Sequence, residues 1–441
     1  RDRSPSRGLG DVYKRQGRSR RNSKGGILAV LLTGVLALTG CSHGSGDDAA
    51  RAAQRNIHER GPITFAMGKN DIANLRPVVD RWNKDHPSEN VTLHELAGEA
   101  DSQRDTLVQS LQARSGEFDV IALDVIDTAS FAAHQWLQPL TGDMAVDMTH
   151  LLPATVESAT YAGTVYAAPQ NTNGQLLFYR SDLIKHPPHT WRELTQDCAI
   201  ATRHKLDCLV SQLKQYEGLT VNTSMFINGW GGQIVGADGF TPTVTSDPAR
   251  EGIQTLVDAY KDGVFPKRVV SFTEEETNLA FVNGEALFAI NWPYMYENAG
   301  TSDDSKVKGK FAVAPLVGKD GVGASTLGGY NNAINVYSEH KATARDFIAF
   351  VENRENQLGF AQNSFPPVLT SIYDDKDLIK EHPYLPILKT SLENAVPRPV
   401  SPFYPAISKA IQDNVYAALS GRKTVVQATK DMTSAIEVAE H

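Results

Sequence analysis

Phe118-Asp119-Val120-Ile121-Ala122-Leu123-Asp124 is an apolar run with one acid inside it and another closing it. Such a run suits a strand buried on both faces of a sheet. On its N-terminal side, Leu107 and Leu111 lie at helical spacing, and Val91-Thr92-Leu93 reads as a second strand. Further out, Ile72, Leu75, Val78, Val79 and Trp82 recur on one helical face, and Pro62 to Met67 is a β-prone run ended by Gly68. On its C-terminal side, residues 131–137 read as a helix. Strand, helix, strand, helix, strand at this spacing predicts an α/β fold with a largely parallel sheet. The pattern returns downstream, with helices over 251–260 and 276–281, strands over 286–290 and 311–314, and a helix over 344–351. Past Ser371 the chain reads as mostly helical, with proline-rich breaks at 383–386 and 397–405. A body of about 380 residues exceeds the usual single-core size, so two lobes are expected.

The 441 residues are 41% hydrophobic and 21% charged, which excludes a disordered chain. The formal charge of −8 averages two unlike parts. The first 40 residues hold nine of the 43 Lys/Arg and two of the 51 Asp/Glu, leaving −15 from Cys41 onward. An acidic body argues against binding nucleic acid or anionic lipid, either of which needs a basic face.

Residues 1–16 have no apolar periodicity and read as a flanking scar. Arg18, Arg20, Arg21 and Lys24 then form a basic segment ahead of a short apolar run, Ile27 to Leu38. That run is too short to span a bilayer comfortably. Leu38-Thr39-Gly40-Cys41 follows, with small residues just before a cysteine, as in a lipoprotein signal peptide. Residues 1–40 are therefore expected to be scar plus signal, Cys41 the lipidated N-terminus, and 41–60 a flexible tether. The Arg20-Arg21 pair lacks the following apolar residues of a twin-arginine signal. In an exported protein Cys198 and Cys208 are expected to form a disulfide. His186, His189 and His204 lie nearby, but no pair has tight zinc-ligand spacing, so no metal and no cofactor is expected.

Several stretches together resemble the extracellular solute-binding proteins (family 1) of bacterial ABC sugar importers, most of all the trehalose/maltose-type lipoproteins. They are Phe118 to Asp124, Val165 to Pro169, Asn171 to Arg180, Tyr216-Glu217-Gly218, Phe281 to Ala286, Asn291 to Tyr294, Leu327 to Tyr330, Val396 to Pro399 and Pro402 to Pro405. The resemblance implies a two-lobed periplasmic-binding-protein-like fold, α/β in class, with a ligand cleft between lobes joined by chain crossings. It places residues 61–169 and 316–370 in lobe 1, and 170–315 and 371–441 in lobe 2. It further implies a lipid-anchored, monomeric receptor on the extracytoplasmic face of the cell membrane. Such a receptor captures an α-glucoside by cleft closure and hands it to the permease subunits and their ATPase, without catalysis.

A neutral sugar offers hydroxyls that both donate and accept, and flat C–H patches, so carboxylates, amides and aromatic faces recognise it. Asn70 and Asp71 follow the first strand at the carboxyl edge of the sheet, where open α/β sheets bind ligands. Asp71 reads equally well as a helix N-cap. Asp124 ends the third strand at the same edge and is favoured over Asp127, a position where the chain departs from trehalose-binding members, which carry an aromatic. Asn173 falls in the first crossing. Glu217 sits beside Gly218, a place for close ligand approach, although an acid before a helix also serves the dipole. Trp292 and Tyr294 follow a strand and suit stacking on a sugar face. Gly328 and Gly329 offer backbone N–H groups, and Arg398 displays a guanidinium between two prolines. The alternative reading is a secreted glycoside hydrolase using Asp71, Asp124 or Glu217; a third is a lipid-anchored scaffold.

Overall fold

The computed structural model describes residues 51–236 and 239–439. The signal segment, Cys41 and the first half of the expected tether lie outside the described residues.

The chain opens with β1 (Ile63–Gly68), α1 (Ile72–Asp85), β2 (Val91–Leu96), α2 (Ala100–Gln112) and β3 (Val120–Asp124). β1 pairs parallel with β2 on one side and β3 on the other. The five apolar residues whose spacing predicted α1 are its buried face. The next helix, α3 (Thr128–Ala133), is shorter and earlier than residues 131–137 suggested. Gln135 adopts φ 60°, which ends the helix, and Leu137 then bridges to Asn335.

β4 (Ala167–Gly174) follows, and after Gln175 alone the chain enters β5 (Leu176–Tyr179) of a second sheet. There α4 (Trp191–His204), β6 (Asp207–Val210), α5 (Glu217–Gly229), α6 (Glu274–Val282), β7 (Ala286–Asn291) and β8 (Ala312–Ala314) complete the unit. The strand order is β8–β5–β7–β6, and only β6 and β7 run parallel. This sheet is therefore mixed rather than a parallel copy of the first, because β5 enters it directly from β4 without a crossover helix. β9 (Ser325–Ile334) returns to the first sheet, lying antiparallel to both β4 and β3. Its double glycine hides it from a β-propensity reading. After α7 (Lys341–Val351), a short β10 (Ala395–Val396) extends that sheet beside β9, and α8 (Tyr404–Leu419) ends on the other unit.

Each sheet owns a core. Phe65, Trp82, Val120 and Phe347 belong to the first, while Phe178, Phe226, Phe281, Phe288 and, from α8, Ile411 and Val415 belong to the second. The described part of the expected tether is docked on the first unit. Arg60 pairs with Glu89 and Asp346 at 2.8 Å each, and Lys341 Nζ donates to the Ala52 carbonyl at 2.6 Å. The folded body thus begins before Gly61.

Cys198 of α4 is bonded to Cys208 of β6, with Cα atoms 5.0 Å apart. Lys205 makes this possible by taking φ 57° at the helix C-cap, which turns the chain straight back into the strand. Among the described residues no cluster of His, Cys, Asp or Glu is arranged to hold a metal ion. Among them, too, no helix is long and apolar enough to cross a membrane.

Candidate functional site

The carboxyl ends of β1, β3 and β7 point into one cleft between the two sheets, closed behind by the paired strands β4 and β9. Its volume is about 720 Å³, mouth included. All ten residues put forward from sequence line it. Asn70 and Asp71 come from the end of β1, Asp124 from β3, Asn173 from β4, and Glu217 from the start of α5. Trp292 and Tyr294 follow β7, Gly328 and Gly329 lie on β9, and Arg398 precedes α8.

One wall is an ion network. Arg398 is buried and sends Nη1 to Glu217 Oε1 at 2.7 Å and Nη2 to Asp124 Oδ1 at 2.9 Å. Glu217 Oε1 also accepts from the Tyr404 hydroxyl, and Oε2 from Ser408. Burial pushes the Glu217 carboxyl up despite Arg398 beside it. Burial would lower the Arg398 guanidinium, but Asp124 and Glu217 hold it above its ordinary value, so it stays charged. Glu217 is therefore more than a partner of the α5 dipole, because its side chain is committed to three groups from the C-terminal segment. The α5 N-terminus is served from the other unit, where Asp101 accepts from the Glu217 N–H at 3.1 Å. An ion pair between Glu99 and Lys214 also joins the units.

The other wall is open. Asp71 stands at the N-cap position of α1, yet its side chain makes no capping bond. Burial, and after it Glu274 across the cleft, pushes its carboxyl up to about 7. Neither the Asp71 carboxylate nor the Asn173 amide has a hydrogen-bond partner among the described residues. Trp292 and Tyr294 are half-buried, so neither ring is plain core. The Tyr294 hydroxyl donates to the Glu274 carbonyl at 3.0 Å, which fixes the ring at the cleft edge. Asn70 donates to the Gly98 carbonyl at 3.0 Å.

Gly329 has φ +124°, and a Cβ there would stand 2.4 Å from the Asn171 carbonyl oxygen. Only glycine fits this close approach of β9 to β4, just ahead of the register shift between Tyr330 and Asn331. Asp127 does not line the cleft. It is buried against Arg104, Nε to Oδ1 3.0 Å, and burial pushes its carboxyl up to about 8.

The cleft also holds residues that were not anticipated. Glu274, Gln103, Tyr330, Ser364 and Phe365 line it. The signal for Glu274 was ambiguous, since Glu274-Glu275-Glu276 reads as three acids in a first helical turn. Glu276 is the one that closes the capping box with Thr273, which leaves Glu274 to face the cleft. Among the described lining residues four carboxylates face one guanidinium, so the site repels anions.

Residues 69–358 match the family model of the bacterial extracellular solute-binding proteins. The chain belongs to that family. As a family member it is a solute-binding protein of ABC transport and works outside the cytoplasm. It is 30% identical over 371 residues to a probable ABC transporter-binding protein of Deinococcus radiodurans, across 80% of this chain and 87% of that one. Among solved structures, maltose-bound T. maritima MalE3 superposes with a TM-score of 0.81 at 32% identity, covering 86% of this chain and 99% of the other. The GacH receptor of Streptomyces glaucescens, solved unliganded and with acarbose, shares the fold with a TM-score of 0.77 at 22% identity, over 86% of this chain and 98% of that one. These neighbours are two-lobed binding proteins of the same α/β architecture.

Proposed function

We propose that this family member captures a neutral α-glucoside disaccharide, of trehalose or maltose type, in the cleft between its lobes and delivers it to a membrane permease. The observation that carries the reading is the open wall. A carboxylate at Asp71 and an amide at Asn173, neither with a side-chain partner among the described residues, share one cleft with two half-buried rings, Trp292 and Tyr294. Carboxylate and amide satisfy hydroxyls, and the rings cover C–H faces. The surplus of negative charge disfavours sugar phosphates and uronic acids. The maltose held by MalE3 supports a disaccharide of this class. Asp124, Glu217 and Arg398 shape the wall against which the ligand is held. The first lobe is built on the sheet that holds β4 and β10, the second on the sheet that begins with β5, so the crossing falls at Gln175 rather than at 169, with acylated Cys41 tethering the monomeric protein to the outer face of the membrane.

Titration calorimetry with maltose, trehalose, sucrose and maltotriose tests this, and micromolar or tighter binding of at least one is expected. Native mass spectrometry of protein taken from its own host identifies which sugar co-purifies. Replacing Cys41 is expected to release the protein from the membrane fraction, and retention there contradicts the lipid anchor. For the hydrolase alternative, two of the candidate carboxylates, Asp124 and Glu217, are both tied to Arg398, which leaves them poorly placed to exchange protons with a substrate. Incubation with maltose or trehalose is expected to release no glucose.

A further inference from the structure

Gly328 lies in β9, directly opposite Asn173 of β4. Unlike Gly329 it does not adopt a left-handed backbone, so its lack of a side chain is not a conformational necessity. What it accommodates is the indole of Trp292. A Cβ at position 328 would stand 3.0 Å from both Cη2 and Cζ3 of that ring, and 3.4 Å from the Asn173 Cβ. Ordinary contact with a Cβ begins at 3.4 Å, so the Asn173 contact is tolerable, whereas the indole edge must give by a few tenths of an ångström to admit one. The far edge of the indole rests on bare backbone, and the backbone N–H of Trp292, where the side chain leaves the strand end, donates to Asn291 Oδ1 at 2.9 Å. The same device recurs at Gly218, where a Cβ would stand 2.3 Å from the Tyr216 hydroxyl.

We infer that Gly328 is a positioning residue that sets the pose of the Trp292 ring, and through that pose the cleft's preference for a ligand with a flat pyranose face. The inference rests on the sugar-binding reading for its consequence, but not for its geometry. A side chain at 328 displaces the indole edge from β9, and displacement grows with side-chain size. Strand geometry itself accepts alanine and favours valine, so the backbone is not what such a substitution breaks.

Gly328→Ala and Gly328→Val, each made in the wild-type and Trp292→Ala backgrounds, test it. The tryptophan emission of the unliganded protein, referred to Trp292→Phe, isolates this ring from the other four tryptophans. The emission assigned to Trp292 is expected to shift in Gly328→Ala and shift further in Gly328→Val. Titration with maltose and trehalose is expected to show affinity lower by about threefold for Ala and about 30-fold for Val, falling to less than about twofold for either in the Trp292→Ala background. Unchanged emission in a folded Gly328→Ala protein overturns the inference, as do equal affinity losses in both backgrounds. If wild type binds none of the sugars, the functional reading fails, and the emission series still decides whether Gly328 seats the ring. If Gly328→Val does not fold, the alanine variant carries both readouts.

Discussion

The two walls of the cleft are built from similar residues and arranged oppositely. Around Arg398, the charged groups are paired with one another and with Tyr404 and Ser408, and of the guanidinium nitrogens only Nε lacks a partner among the described residues. Around Asp71, an acid, an amide and two aromatic rings share the space with few internal bonds. Polar groups tied to one another fix geometry, whereas side chains without partners are left for a ligand. The first wall thus acts as a brace between the strand end at Asp124, the helix start at Glu217 and the C-terminal segment. The second is the part that reads the solute.

That division can be broken at its strongest point first. Arg398→Met leaves Glu217 and Asp124 without their cation in a buried setting and is expected to cost about 3–5 kcal/mol of stability in urea unfolding. A loss under about 1 kcal/mol would place the pair among solvent-screened contacts and dissolve the brace. On the open wall the effects fall on binding. Trp292→Ala is expected to weaken sugar affinity about 30-fold, as loss of an aromatic anchor does, with melting temperature nearly unchanged. Unchanged affinity removes the stacking assignment.

Asp71→Asn is the smallest and sharpest probe. It is expected to weaken sugar binding about tenfold, the scale of one charge-assisted hydrogen bond. Its effect on stability has the opposite sign. The folded-state value of about 7 lies above the ordinary 3.8, so the folded protein keeps this proton to higher pH than the unfolded chain. Its contribution favours folding at low pH and is lost as pH rises from about 4 to 7. Asparagine removes that loss, so the melting temperature should rise by about 1–2 °C at pH 8 and stay unchanged near pH 4. A fall in melting temperature at pH 8 would mean that the Asp71 carboxylate is paired after all.

Much of the first lobe was legible because its signals are local. The run ending at Asp124 and the helical face from Ile72 to Trp82 each carry their own periodicity. The sheet-edge rule then places Asp71 and Asp124 at strand ends without further information. Trp292, Glu217 and Arg398 came from resemblance, because an aromatic after a strand or an acid before a helix has an equally good structural role. Glu274 and Gln103 stayed hidden for a different reason. Each sits among polar helical neighbours, and which side chain turns inward depends on helix packing rather than on residue type. The mixed order of the second sheet was hidden too, because the direct step from β4 to β5 leaves no mark on composition.

Calorimetric titration of the wild-type protein with maltose and trehalose at pH 8, where Asp71 is ionised, tests the central claim most directly. Micromolar or tighter binding to at least one, weakened together by Asp71→Asn and Trp292→Ala, is the predicted result. No heat with either sugar, or binding that both substitutions leave intact, would contradict the assignment of the open wall as the reader of the solute.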